Sequence, residues 1–543
     1  MRDIVGSKAK TGMTKNISRR TAIAGALAVP FALAAGTAPI LAQAQGDTLI
    51  AVIQPEPTVL TSTFNNTYAN GVVSVNVFDG LASYDENLQP VPSLAERWET
   101  SEDGLSITFH LRKGVKWHDG NEFTSADVKF SLLDVWKKLH ARGRLTFQYV
   151  KDVETPDAHT AVLRLSQPSP VIFAALNAFE AQVLPKHLYE GTDVTKNPYN
   201  LKPIGTGPFR FKEWKKGESV ELERNPEYWD KGKPHFQRLI FRIIPDAASR
   251  AAAFETGEVQ YSPYNAVSLA DVARLRENKS LAFNLRGYEW QAQYNFLEFN
   301  LRNEYLKNPK VRHAIAHAID KQRLIDLVWF GVGQPATGPI PSTLTNFYTK
   351  DVPSYPFDLK RAAALLDEAG YPKGANGVRF TLNIDYVPFS DTYQQSAEFI
   401  RQSLKQVGIE VSMRNSDLPS YIKRIYGAYD FDLNTGLFSA YMDPQLGLIR
   451  QFWSKAIAAG TPWTNASGYA SPEMDRVIEQ AGLEADGKKR VELFHQLQRL
   501  AQTDLPILTL FEVNNFTIYS SKLTGISSAP DGALSSLKNV RPK

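Results

Sequence analysis

The sequence predicts an α/β chain with mixed sheets. Strand-like and helix-like stretches alternate along its length, no 20–50-residue repeat or low-complexity tract interrupts them, and no long Pro/Gly/Ser linker divides the chain. Domains joined without linkers tend to exchange strands across short connections, an arrangement that suits hinged lobes. A chain of this length holds roughly two to four domains by the usual size prior.

The first segment is a targeting signal. Arg19 and Arg20 stand directly before an uncharged run, 21–44, that ends in the small-residue signature Ala42-Gln43-Ala44. Ser18-Arg19-Arg20-Thr21-Ala22-Ile23 resembles the twin-arginine export motif, although Ala22 stands where that motif usually has Phe. The run is just long enough to span a bilayer, but Gly25, Pro30, Gly36 and Pro39 weaken it as a spanning helix. Export with cleavage after about Ala44 and a periplasmic destination is the expectation.

The signal also explains the charge. The whole chain carries 61 Lys+Arg against 57 Asp+Glu; segment 1–44 holds six basic residues and one acidic one, which leaves 55 against 56. The remainder has no bulk electrostatic case for nucleic-acid or anionic-membrane binding. Cysteine is absent, so no disulfide supports the fold and the chain must bury its own core.

Thr48–Ile53 reads as a strand closed by Pro55 and Pro57. In segment 105–112, Leu105, Ile107, Phe109 and Leu111 alternate with polar residues, the period of a half-buried strand. Thr124-Ser125-Ala126-Asp127 has the form of a capping box and opens a helix expected to end at Lys137, Lys138 and His140. Segment 311–329 repeats Val311, Ala314, Ile315, Ala318 and Ile319 on one face and reads as a single amphipathic helix. Asp358 is placed to cap a helix over 359–369, with Gly370 at the left-handed exit and Pro372 beyond it.

Catalytic signatures are missing. There is no G-x-S-x-G elbow, H-E-x-x-H pair, phosphate-binding lysine loop or cysteine nucleophile, and Gly331-Val332-Gly333 lacks the rest of a dinucleotide fingerprint. His313 and His317 lie one helical turn apart but without the further ligands a metal needs, so neither metal nor cofactor is expected. The informative excess is aromatic, with 22 Tyr and 9 Trp, several in polar or turn contexts that suit a recognition cleft. Tyr261, Tyr264 and Trp463 belong to this population.

The ordered motifs then resemble one family. They are Leu94-Ala95-Glu96-Arg97-Trp98, Asp103-Gly104, the run from Thr108 to Gly120, Phe123-Thr124-Ser125-Ala126-Asp127-Val128, Gly205-Thr206-Gly207-Pro208-Phe209 and Arg224-Asn225-Pro226-Glu227-Tyr228-Trp229. Val311-Arg312-His313-Ala314-Ile315, Ala318-Ile319-Asp320 and Gly338-Pro339-Ile340-Pro341 follow. Together they resemble the periplasmic solute-binding components of peptide/opine/nickel ABC importers (bacterial extracellular solute-binding protein family 5). The resemblance implies a two-lobed periplasmic binding protein fold of type II, cluster C, with mixed sheets, two hinge crossings and an extra subdomain. Residues 45–290 would form lobe I, including an extra subdomain at about 85–200; 291–508 would form lobe II, and 509–543 would return to lobe I. The crossings would lie near 291–300 and 505–513.

Peptide binders of this family carry an aspartate for the ligand's α-amino group in a segment resembling G-W-x-x-D-x-x-[DE]-P. Here it reads Gly436-Leu437-Phe438-Ser439-Ala440-Tyr441-Met442-Asp443-Pro444, with Ala440 in the aspartate's place. Asp443 matches the family's scaffold acid. A buried ammonium without a partner is costly, which leaves either another anchor, such as Glu56, Glu289 or Asp385, or an oligosaccharide or opine-like solute. The expected cleft residues are Tyr68, Trp290, Tyr294, Tyr386, Phe438, Ser439, Tyr441 and Trp453. The function implied is non-enzymatic capture of peptides or peptide-like solutes by a monomer that delivers them to an inner-membrane permease driven by a cytoplasmic ATPase. Nucleic acid is not an expected partner. An exported hydrolase, or a chaperone or receptor built on the same lobes, is the competing class.

Overall fold

Thr48–Ile53 opens the described chain, which a computed structural model gives from residue 47 to residue 543. The export segment and its cleavage point lie outside the described residues. Thr48–Ile53 is the parallel centre of a seven-stranded mixed sheet, between Arg238–Ile243 and Tyr261–Ser262. Ser219–Arg224 and Phe209–Lys215 extend one side of it, and Thr517–Ser520 and Leu281–Asn284 the other. A four-stranded antiparallel sheet of Ala95–Thr100, Ser106–Leu111, Thr160–Leu165 and Val150–Asp157 lies within the region expected to be the extra subdomain.

The third large sheet is six-stranded, in the order Gln334–Pro335, Ile507–Glu512, Gln293–Phe299, Leu433–Ser439, Phe380–Tyr386 and Ile409–Arg414. Two neighbouring interior strands, Ile507–Glu512 and Gln293–Phe299, are buried almost throughout, and Asn295, Glu298 and Thr509 are buried there with the apolar residues. The chain passes from the seven- to the six-stranded sheet between Asn284 and Gln293, and returns between Glu512 and Thr517.

Local signals account for most elements. Ile107, Phe109 and Leu111 are buried on one face of Ser106–Leu111, while Leu105 is left exposed before the strand begins. The capping box forms, with the Thr124 N–H donating to Asp127 Oδ2 at 2.8 Å. The helix it opens, Ser125–Phe130, widens into a π-helical turn at Ser131–Trp136 and stops short of the expected basic end. Asp358 caps Leu359–Glu368 through the amides of Lys360 and Arg361 at 2.9 Å, and Gly370 takes φ 89° at the exit.

The single helix read over 311–329 is corrected to two, Pro309–Ala318 and Lys321–Val328. Ile319 is extended, and the Asp320 side chain accepts from the Arg323 N–H at 3.0 Å, starting a new helix where apolar periodicity alone had run through. His313 and His317 each bond a backbone carbonyl, of Thr503 at 2.9 Å and Pro356 at 2.7 Å, and pack on Tyr355.

Candidate binding cleft

Most of the expected cleft residues gather where the six-stranded sheet meets the segment between the two sheets. Phe438 and Ser439 pair with Tyr294 and Gln293 at the end of Leu433–Ser439. The pairing then continues beyond the strand: the amides of Ala440, Tyr441 and Met442 donate to the carbonyls of Ala292, Gln291 and Trp290 at 3.1, 3.0 and 2.6 Å. Ala292 and Tyr441 adopt φ of 43° and 60°, and Tyr264 and Asn265 take 58° and 53°. Left-handed backbone at an alanine and two tyrosines costs energy that only surrounding structure sustains, and such strain concentrates at functional sites.

The strained turn aims aromatic rings. Tyr441 meets Trp290 edge-on at 5.2 Å, and Trp290 meets Phe179 edge-on at 5.8 Å. Tyr294 and Phe438 lie 5.9 Å apart, and the Tyr294 hydroxyl bonds Gln451. Tyr68 packs on Tyr264 at 4.9 Å, whose hydroxyl donates to Gln291 at 2.8 Å. A cavity of about 90 Å³ opens beside Tyr68 and Tyr264, lined also by Arg250, Ser262 and Asn265. Burial raises the Tyr68 hydroxyl to about 12, against the opposing charge of Arg250. Gly447 makes the packing possible, because a Cβ there would sit 2.4 Å from the Tyr441 ring and 2.5 Å from the Ser439 carbonyl.

A buried charged cluster completes the wall. Arg142 forms a bidentate pair with Glu180, Nε to Oε1 at 2.7 Å and Nη2 to Oε2 at 2.5 Å. Its Nη1 donates to the Tyr441 hydroxyl at 2.8 Å, joining residues 299 positions apart. Burial, the largest single influence, would raise the Glu180 carboxyl, but the charge and hydrogen bonds of Arg142 together with the neighbouring His140 and Arg450 hold the group below its usual range. The Gly143 amide donates to His140 Nδ1 at 2.9 Å, which places the neutral ring's proton on Nε2. With its amide oriented to accept, Asn66 takes two bonds from Arg142, at 2.9 and 2.6 Å. Burial, the largest influence, brings His140 down to about 4, so it stays neutral. Gly143 is itself forced, since a Cβ would lie 2.2 Å from the Trp136 carbonyl.

The expected residues therefore separate. Trp290, Tyr294, Phe438 and Tyr441 come together, with Tyr68 reached through Tyr264. Trp290 is 1% exposed and its Nε1 donates to the Ala174 carbonyl at 3.0 Å, so it backs the wall. Ser439 is half-buried beside Gly447. Tyr386 sits in the core around the six-stranded sheet. Trp453 lines a different cavity, of about 350 Å³, with Leu145, Tyr149, Ile449 and Ile478.

The alternative amine anchors are already engaged. Glu56 accepts from Trp214 Nε1 and the Gly217 amide, both at 3.0 Å; Glu289 accepts from Arg286 and the amides of Gly287 and Tyr288. Asp385 is held by Arg414 at 2.6 Å and Arg424 at 2.8 Å. Asp443 pairs bidentately with Arg490 at 2.6 and 2.9 Å, in keeping with a scaffold role. Asn66, Arg142 and Glu180 carried no motif in the sequence and His140 was read only as part of a helix end; a fixed spacing between them does not exist to be read.

Comparison with known proteins places this architecture. Residues 89–460 match the model of the bacterial extracellular solute-binding proteins, family 5 Middle, and the chain belongs to that family. It is 30% identical over 463 residues to the dipeptide-binding protein of Escherichia coli (strain K12), spanning 81% of this chain and 84% of that one. The oligopeptide-binding protein AppA from Bacillus subtilis, solved with a nonapeptide, superposes with TM-score 0.75 at 26% identity, over 91% of this chain and 99% of that one. AgaA from A. tumefaciens R10, solved with agropinic acid, gives TM-score 0.73 at 26% identity over 91% and 99%. The fold is thus the two-lobed α/β binding-protein type, and the chain is a solute-binding protein, not an enzyme.

Proposed function

We propose that this protein is the periplasmic receptor of an ABC importer and captures a peptide-like solute between its lobes. The observation that carries this reading is the aromatic wall on the strained turn at 439–442, which lies where the chain changes sheets and bonds across to Arg142. Rigid rings give large contact area at low entropic cost, and backbone groups at such a turn fix orientation. The dipeptide- and oligopeptide-binding relatives support a peptide-like cargo.

In this reading lobe I is built on the seven- and four-stranded sheets, with the extra subdomain at about 85–200, and lobe II on the six-stranded sheet. The crossings, expected near 291–300 and 505–513, are moved in this reading to the connections 284–293 and 512–517, so that Ile507–Glu512 remains whole inside lobe II. Tyr68, Tyr264, Tyr294, Phe438 and Tyr441 touch the solute, and Trp290 supports them from behind. The leading segment directs export by the twin-arginine route, and the mature chain works as a monomer with its permease and ATPase. The test is mass spectrometry of solute released from the denatured purified protein, followed by thermal shifts with peptides, sugars and opines. Peptide-like masses and peptide-induced shifts are expected; release of neutral oligosaccharide, with shifts confined to sugars, would overturn the peptide assignment.

A further inference from the structure

The charged groups of the cleft do not balance. Glu180 is consumed by Arg142, and His140 is neutral. Arg450 remains. Its guanidinium lies 5.6 Å from the Phe438 ring centroid, and its Nε reaches the Gly447 carbonyl at 3.4 Å. Among the described residues no carboxylate oxygen lies within the 4.0 Å of an ion pair with it. Burial pushes its proton affinity down and the positive charge of Arg142 adds to that, while Tyr441, the more distant Glu180 charge and Tyr426 oppose it.

On the other side of the ledger, Ala440 is 0% exposed and offers no charge where an ammonium would need one. Glu56, Glu289, Asp385 and Asp443 are each bound by cations or N–H donors. Arg250, also without an ion pair among the described residues, is satisfied by the carbonyls of Ala266, Ile244 and Pro245, whereas Arg450 has only the long bond to Gly447, and each of these four carboxylates is engaged. A guanidinium withdrawn from water is stabilised best by a planar anion that accepts two parallel N–H bonds, and an ammonium beside it is repelled.

We propose that the solute carries a carboxylate that docks on Arg450 and that its nitrogen end is acylated or otherwise uncharged. This rests on the peptide-like reading above and narrows it to N-blocked, carboxylate-bearing solutes. Arg142 does not bind the anion itself; its pairing with Glu180 and Tyr441 holds the tyrosine against which the ligand lies.

The experiment is calorimetric titration of the purified protein, stripped of endogenous solute, with a tripeptide series: free, N-acetylated, and N-acetylated with an amidated C-terminus. Sugar acids and matching neutral sugars form the parallel series. The N-acetyl acid is expected to bind at least as tightly as the free peptide, and amidation to weaken it about 10- to 100-fold, as losing a charge-assisted bond does. Arg450→Gln should erase the acid–amide difference, and Arg450→Lys should keep part of it. Equal binding of acid and amide to the unaltered protein overturns the proposal whatever the variants do. Tight binding of free peptides that is lost on acetylation also overturns it, while leaving the peptide function intact. Binding of sugar acids alone, lost in Arg450→Gln, would overturn the peptide reading and uphold the anion site.

Discussion

Replacing Glu180 by glutamine tests the buried cluster most directly. The carboxylate is 1% exposed and accepts both Nε and Nη2 of Arg142, which is itself buried. Glutamine keeps the volume but removes the charge and one of the two acceptors. Arg142 is then left with Tyr441 and Asn66, neither of them anionic. Breaking one half of a buried pair typically costs about 3–5 kcal/mol. Equilibrium urea unfolding of the ligand-free protein at pH 7 measures it. The double variant Glu180→Gln with Arg142→Met should recover most of the loss, because no charge is stranded. The pH dependence follows from the depressed carboxyl. Its stabilisation is fully present above the unfolded value of about 4.3 and fades as pH falls through the lower folded value. The gap between parent and Glu180→Gln should therefore shrink in acid. A loss below about 1 kcal/mol at pH 7, or a gap independent of pH, would refute the view that this pair is a tightly coupled buried bridge.

Glu298 works in the opposite sense. Burial raises it to about 7, against bonds from Asn434 and the Ser467 amide. The unfolded chain then binds fewer protons than the native one between about pH 4.3 and 7, so stability falls by about 4 kcal/mol as pH rises through that window. A pH series of unfolding midpoints should show this slope in the parent protein and lose it in Glu298→Gln. Trp290→Ala should cost about 3–5 kcal/mol, as truncation of a fully buried ring does, and lower the thermal midpoint without ligand. Trp453→Ala, at a half-buried cavity wall, should cost far less. Gly447→Ala should displace the Tyr441 ring, cost about 1–3 kcal/mol in thermal unfolding, and weaken solute binding in the same calorimetric assay.

The alternating strands, the capping box at Thr124 and the cap at Asp358 were legible in sequence because each is decided within a few residues. So was Ala440, since a single position in an ordered motif reveals the absent acid. The break at Asp320 was less so: apolar periodicity continued through it, and only a side-chain bond to Arg323 N–H stops one helix and starts another. The cleft itself was half visible. The aromatic residues were countable, yet nothing local separates Trp290, packed behind Tyr441, from Tyr441, which bonds the charged cluster, or sends Trp453 to another cavity. That distinction depends on contacts such as Arg142 to Glu180 and Arg142 to Tyr441, 38 and 299 positions apart. Sequence alone determined the α/β class, the charge carried by the leading segment and the alanine at position 440, all properties of composition or short range. Tertiary structure decided which charges cancel and which stays unpaired, because burial and long-range pairing exist only once the chain has closed on itself.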